Sequence, residues 1–508
     1  MLENIISKFK NDVDFIKTIF ISSLSVFLIS YLHALTHEIA IHDNLWIETL
    51  GATFESGRFS IAIIYQFFKY LLGGRLIATP VMNGIITFIF INMTTYYVVK
   101  ILDIKNKIFV IFISFIMIAN PIVASFLAIR SAAIIYSLSL LMGTYAVYLY
   151  AKKNVNIFIP AIITAFAIGI YQAFVAFYVS LCLLYIIKVS FENKYNIKET
   201  IKLIFKYIIL YVLSLLIYFS LLYISLLLSH EHLSNYKNAN EIISANIFDY
   251  INRILLTYKY YFNLKGAAPF FAFNTHILYY ALFFISIILL ILNKTKLSSG
   301  TIFSILLFPI AVHSNVVLFG VGNYHYNMMG YSIVFQFIIL FYFIDAKYES
   351  IKKSKFNTVV FISYIFIIFS NIYLSNLSSL KAEFVQSQAK TYFTNLIQRI
   401  ESTDGYKPDM NVCFVNELKK NTIGYNESFK EFDSIKYYVY IYGLDFDDVI
   451  NNYAWRRFMW LWNGYKPHVL PDDEYKDIHE VKNMPSYPQN GSIKIIDNVI
   501  VVKFAPYD

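Results

Sequence analysis

The sequence predicts a polytopic α-helical membrane protein of about eleven spans, followed by a small C-terminal α+β domain. Three observations predict it. Of 508 residues, 58% are hydrophobic and 15% charged, against roughly 45–50% and about 25% in soluble globular chains. Apolar stretches long enough to cross a bilayer recur along the chain, separated by short loops. After residue 375 the composition turns charged and Pro-containing, with no further spanning stretch. Such hydrophobicity excludes intrinsic disorder. The net charge of +9 is carried by Lys in loops between apolar runs, a membrane topology pattern, so no nucleic-acid partner is expected. Two cysteines, Cys182 and Cys413, are too few for a disulfide framework.

In lipid the backbone must satisfy its own hydrogen bonds, so each apolar stretch is expected to be a helix. The spans are expected near 15–35, 76–99, 108–128, 131–150, 156–169, 170–188, 203–228, 275–293, 301–319, 329–345 and 357–375. The pair 156–169 and 170–188 is open to a second reading as a re-entrant hairpin. Lys8 and Lys10 precede the first span. Lys105 and Lys107 follow the second, Lys152 and Lys153 the fourth, and Lys194 and Lys198 the sixth. Lys294 and Lys296 follow the eighth, and Lys347, Lys352, Lys353 and Lys355 the tenth. Every second loop is thus Lys-rich and expected to be cytoplasmic. The N-terminus is then inside and the C-terminus outside, and the first apolar run reads as a retained helix. Residues 1–375 form the membrane domain, with outward loops at 36–75 and 229–274. Residues 376–508 form an outward α+β domain.

In that tail a helix is expected near 380–402 from the spacing of Phe384, Tyr392, Phe393, Leu396 and Ile397. Strands are expected at 411–416 and 436–442, a helix over 446–463, and a terminal hairpin turning at Asp497–Asn498. All four Trp of the chain, Trp46, Trp455, Trp460 and Trp462, fall in outward segments. They suit either a headgroup belt or a platform for sugar rings.

The first outward loop concentrates His37, Glu38, His42, Asp43, Glu48, Glu55 and Arg58 beside an apolar helix. This set offers a general base and a cation clamp for an anionic leaving group; the plain alternative is a solvated loop. Residues 57–74 read as an interfacial helix bracketed by Arg58 and Arg75. Arginine grips phosphate oxygens in a bidentate way that lysine does not. Arg130 follows the third span. Tyr171 and Gln172 sit at the bend of the short helical pair. His313 and Asn315 lie in the ninth span, with His325 just beyond. Polar groups in spans face protein or a watery cavity, and the shared outward end of these residues favours one outward-opening cavity. No spaced His/Cys set supports a metal site. A carboxylate-held Mg²⁺ or Ca²⁺ stays open but has no Asp-x-Asp pattern behind it; no other cofactor is expected.

With its acidic first loop, SGRF at 56–59, IYQ at 170–172 and the ending MPSYPQNGSIKIIDNVIVVKF, the chain resembles the GT-C type membrane glycosyltransferases. More narrowly, it resembles the serotype-converting O-antigen glucosyltransferases, the Gtr type II family. That resemblance implies transfer of glucose from polyprenyl-phosphate-glucose to an O-antigen sugar on the periplasmic face of the bacterial inner membrane. It also implies a donor-synthesising glucosyltransferase and a donor flippase as working partners. The acidic pair of the family falls here on His42–Asp43, so Asp43 is the implied base, with Glu38 and Glu48 as alternatives. Arg58, carried over from SGRF, is the implied donor-phosphate contact, and Arg75 and Arg130 are further phosphate-binding candidates by their position. Trp46, Trp455, Arg456, Arg457, Trp460 and Trp462 are the implied acceptor contacts. The competing readings are an O-antigen polymerase and a lipid-linked sugar flippase. A transporter of that kind predicts internal repeats and mid-bilayer charges, and the sequence has neither. The acceptor sugar, the linkage and the anomeric outcome are not legible.

Overall fold

The computed structural model describes residues 2–37, 54–71, 73, 79–129, 132–233, 246–262, 275–292, 297–319, 327–345, 355–416, 418 and 454–505. The chain divides into two compact units, one holding the described residues of 2–36 and 54–377, the other those of 378–505.

The first unit is helical. Its helices are α1 (Leu2–Thr36), α2 (Phe59–Leu71), α3 (Pro80–Leu102), α4 (Lys107–Ile118), α5 (Pro121–Ala128), α6 (Ala133–Lys152), α7 (Phe158–Ile170) and α8 (Val175–Asn193). They continue with α9 (Ile197–Ser229), α10 (Ile247–Tyr261), α11 (Thr275–Leu292), α12 (Ser299–Val312), α13 (Ser314–Phe319), α14 (Val334–Asp345) and α15 (Lys355–Glu401), of which the residues up to Leu377 belong to this unit. Among the described residues, six helices are long and apolar enough to cross a membrane, or seven if the bent pair α4–α5 is one span. The described residues of each apolar stretch singled out in the sequence are mostly helical, but several helices, including Phe158–Ile170 and Ser299–Val312, are shorter pieces. The protein is therefore a helical membrane protein with several broken helices.

The breaks have a consistent chemistry. Asn120–Pro121 bends α4 against α5 by 44°, because proline removes a helical donor and clashes with the preceding turn. The Asn120 side chain accepts from Ile122 N at 3.0 Å and caps the new helix. The carbonyls freed at the break are met by tyrosine hydroxyls: Tyr31 donates to Ile118 O at 2.7 Å and Asn120 O at 2.9 Å, and Tyr331 to Met117 O at 2.6 Å. At the end of α12, Ser332 donates to Val312 O at 2.6 Å. Helix breaks in lipid are tolerated only where neighbouring groups take over the freed backbone partners.

At one end of the helices, charged groups form a network. Lys152 pairs with Asp103, and Lys188 reaches Asp103 at 2.9 Å and Glu192 at 2.8 Å. Tyr342 donates to Glu192 at 3.3 Å, and Gly300 N to Tyr195 O at 3.1 Å. The loops after the second, fourth and sixth expected spans thus meet, joined by the ends of α12 and α14.

The second unit holds a four-stranded sheet in the order β2-β1-β4-β3, from β1 (Asn411–Val415), β2 (Val469–Leu470), β3 (Ile493–Ile496) and β4 (Val499–Lys503). β1 runs parallel to β2 and β4, and β3 antiparallel to β4. Asp497 and Asn498 both have positive φ, 50° and 62°, which fits a tight two-residue hairpin turn. One face of the sheet packs Val412, Phe414, Ile500 and Val502 against Phe393, Leu396 and Ile400 of α15 and against α16 (Ala454–Asn463). The strand expected at 436–442 lies outside the described residues, as does the first half of the helix expected over 446–463.

Candidate functional site

The polar centre of the first unit is built on the break between α7 and α8. Ile170 ends α7, Tyr171 takes an extended conformation (φ −152°, ψ 105°), and Gln172–Phe174 form one 3-10 turn before α8 begins. Facing it is the tight turn Phe54–Gly57, closed by Gly57 N donating to Phe54 O at 2.8 Å. Gly57 sits at φ +75°, and a Cβ there would lie 2.7 Å from Tyr218 Oη and 2.8 Å from Gln172 Nε2. Only glycine serves both the conformation and the approach.

Gln172 Nε2 donates to Ser56 O at 2.8 Å and to Tyr218 Oη at 3.2 Å, and Tyr218 Oη donates to Gly57 O at 3.0 Å. Two side chains from α7–α8 and α9 therefore hold consecutive carbonyls of the turn. The next residue, Arg58, lies with its guanidinium carbon 5.2 Å from the centre of the Tyr171 ring, a cation–π distance. Phe59 is buried against Phe166 and Tyr218 and fixes the start of α2. Gly169 lets it approach, since a Cβ there would meet Ser60 Oγ at 2.5 Å.

The other side of the same break is held by Asn315, which is fully buried. Its Nδ2 donates to Ala173 O at 2.9 Å and Met329 O at 2.7 Å. Two residues earlier, buried His313 makes an amide–imidazole contact of 3.3 Å with Gln336. The structure thus brings Arg58, Tyr171, Gln172 and Asn315 to one node, with His313 on the adjoining helix end. Tyr218 and Gln336 join them without having been picked out in the sequence. The node and the Lys188 network stand at opposite ends of α8. Val175, at the start of that helix, and Lys188 are thirteen residues apart, so about 20 Å separates them along its axis, a large part of the hydrocarbon thickness of a bilayer.

Glu38, Asp43, Trp46, Glu48, Arg75, Arg130 and His325 lie outside the described residues.

In the second unit, Arg456, Arg457 and Trp460 line an open cleft of about 360 Å3, together with Met459, Tyr465, Lys466, Pro467 and Val469. Trp455 corrects the expectation of a sugar contact. It is 2% exposed and packs between Phe393, Phe414 and Phe504, so its indole is core. Trp462 packs against the same core. The helix spacing that puts Trp455, Phe458, Met459 and Trp462 on one face turns them inward. Burial pushes the Cys413 thiol up to about 11, with Asp472 and Glu474 adding to the rise and Arg456 opposing it.

No curated protein and no solved structure gives a significant match to the chain. Residues 32–337 match the family described as glucosyl transferase GtrII. That stretch is more than half of the chain and contains the turn, the break and the Asn315 anchor, so the chain belongs to the GtrII glucosyl transferase family.

Proposed function

We propose that the protein moves glucose from polyprenyl-phosphate-glucose to an O-antigen sugar at the periplasmic face of the inner membrane. The family supports glucosyl transfer, and the apolar helices support a membrane enzyme. The observation that carries the finer reading is Arg58, held on a turn that Gln172 and Tyr218 grip by its carbonyls, at the end of α8 away from the Lys188 network. Lys-rich loops mark the cytoplasmic side, so a guanidinium at the other end of α8 suits a phosphate at the outer leaflet. In this topology the chain crosses about eleven times, with the N-terminus inside and the tail outside.

A lipid-linked donor has its tail in the bilayer and its glucosyl head in water. Displacement at the anomeric carbon breaks the bond to the phosphate oxygen and forms a bond to the acceptor hydroxyl oxygen. Asp43, with Glu38 and Glu48 as alternatives, takes the acceptor proton. Arg58 meets the charge that builds on the departing phosphate, with Arg75 and Arg130 as further cations. Electrostatic stabilisation of this kind is worth roughly 10²–10³-fold per donor group. His313, Asn315 and His325 belong to the polar surroundings. Working partners are the enzyme that makes the lipid-linked glucose and the flippase that turns it outward.

The test is O-antigen composition in cells with and without the gene. Added side-branch glucose supports the reading. Altered chain length points to a polymerase, and loss of surface polysaccharide to a flippase.

A further inference from the structure

The two short motifs SGRF and IYQ meet residue against residue. Gln172 donates to Ser56 O, and its neighbour Tyr171 carries the Arg58 guanidinium over its ring, 5.2 Å from the centre. The transfer reading uses the guanidinium and leaves the ring without a role.

Arg58 needs holding. It immediately precedes α2, and Ile61 N donates to Arg58 O at 3.1 Å in the first turn of that helix. A cation at a helix N-terminus meets the positive end of the macrodipole and is disfavoured there. An arginine side chain also has many rotamers to lose. The negative face of an aromatic ring offsets the first cost and selects among the rotamers.

The ring itself is fixed. Tyr136 of α6 packs against it at 4.6 Å and 33°, and Phe174 meets it edge-on at 4.9 Å; both are buried. Its backbone lies in the α7–α8 break, beside the Ala173 carbonyl that Asn315 holds. Tyr171 is 5% exposed, whereas Arg58 is only half-buried, so a ligand reaches the cation and not the ring.

We propose that Tyr171 is a positioning residue for Arg58: its ring face aims the guanidinium at the departing phosphate without touching substrate. This role rests on the transferase reading of Arg58.

The test uses the full chain in nanodiscs with lipid-linked glucose and O-antigen acceptor. Position 171 is filled in turn with phenylalanine and its mono-, di- and trifluorinated forms, which keep the ring's shape while draining charge from its face. The kcat of transfer should fall stepwise with fluorine, by about tenfold across the series, with the acceptor KM unchanged. In an Arg58→Ala chain the same series should be flat, because the partner is gone. Tyr171→Phe should keep most of the native rate and Tyr171→Leu should lose about tenfold; should the leucine variant fail to fold, the fluorinated series still decides. A ring with a merely structural role gives equal rates along the series, and that result overturns the proposal. So does a series that still falls without Arg58. Native transfer with a flat series removes the positioning role alone. No transfer by the native chain removes the transferase reading, and the positioning role with it.

Discussion

Arg58 stands over the Tyr171 ring, and the proposed mechanism asks it to meet the donor phosphate. Its position depends on the Phe54–Gly57 turn, and the turn depends on Gln172 and Tyr218. Arg58→Ala should lower transfer by roughly 10²–10³-fold, and Arg58→Lys should recover little, because an ammonium lacks the planar fork that matches phosphate. Single-turnover assays with lipid-linked donor measure both. Tyr218→Phe removes the donor to Gly57 O and should destabilise the protein by about 1–3 kcal/mol. Thermal unfolding in detergent measures it, with Tyr223→Phe, an exposed position on the same helix, as the control that should not move. Arg58 and Gln172 were legible because SGRF and IYQ stand out as short polar motifs in apolar surroundings. Tyr218 was not, since the chain has 43 tyrosines and only the fold says which one meets Gly57. Trp455 misled for the complementary reason: an outward segment does not tell which of its Trp residues face a core.

At the scale of elements, the spans announced themselves through length and apolarity, and their breaks announced themselves less. Asn120–Pro121 is a visible break signal, yet residues 108–128 read as one continuous span because the apolar run does not pause there. The break after Ile170 carries no proline or glycine at the bend itself. The sequence nevertheless places a bend at Tyr171–Gln172; what it does not show is the partner that holds it, Asn315, which binds Ala173 O and Met329 O from a distance that leaves no local signature. Asn315→Leu should strand both carbonyls in a buried place, at about 1–3 kcal/mol each. The expected outcome is a lower unfolding midpoint together with reduced transfer, since the same break carries Tyr171 and Gln172. In the second unit, the hairpin at Asp497–Asn498 was readable from turn chemistry alone. The parallel pairing of β1 with β2 and β4 was not, because long connections leave strand order unspecified.

Over the whole molecule, the two ends of the helices differ in chemistry. One end gathers Asp103, Lys152, Lys188 and Glu192; the other gathers the Arg58 node. Partial burial pushes the Asp103 carboxyl up, but hydrogen bonds and charge from Lys152 and Lys188 outweigh it and hold the group below the usual carboxylate range. The unfolded chain then binds a proton more readily, so this contribution is present above the usual carboxylate range and is lost as pH falls through the lowered value. Asp103→Asn should therefore flatten part of the acid side of the stability profile, at and below the usual carboxylate range, which unfolding midpoints measured through that range would show. Alkaline phosphatase fused at Lys265 or Ile400 should be active, and a fusion at Lys153 inactive; the opposite pattern would invert the membrane orientation. The central claim is that a guanidinium on the SGRF turn drives glucosyl transfer from a lipid-phosphate donor. Purified protein in vesicles with radiolabelled polyprenyl-phosphate-glucose and O-antigen acceptor tests it most directly. Label should pass to polysaccharide with the native chain and fall by roughly 10²-fold or more with Arg58→Ala, whereas undiminished transfer by that variant would contradict the account.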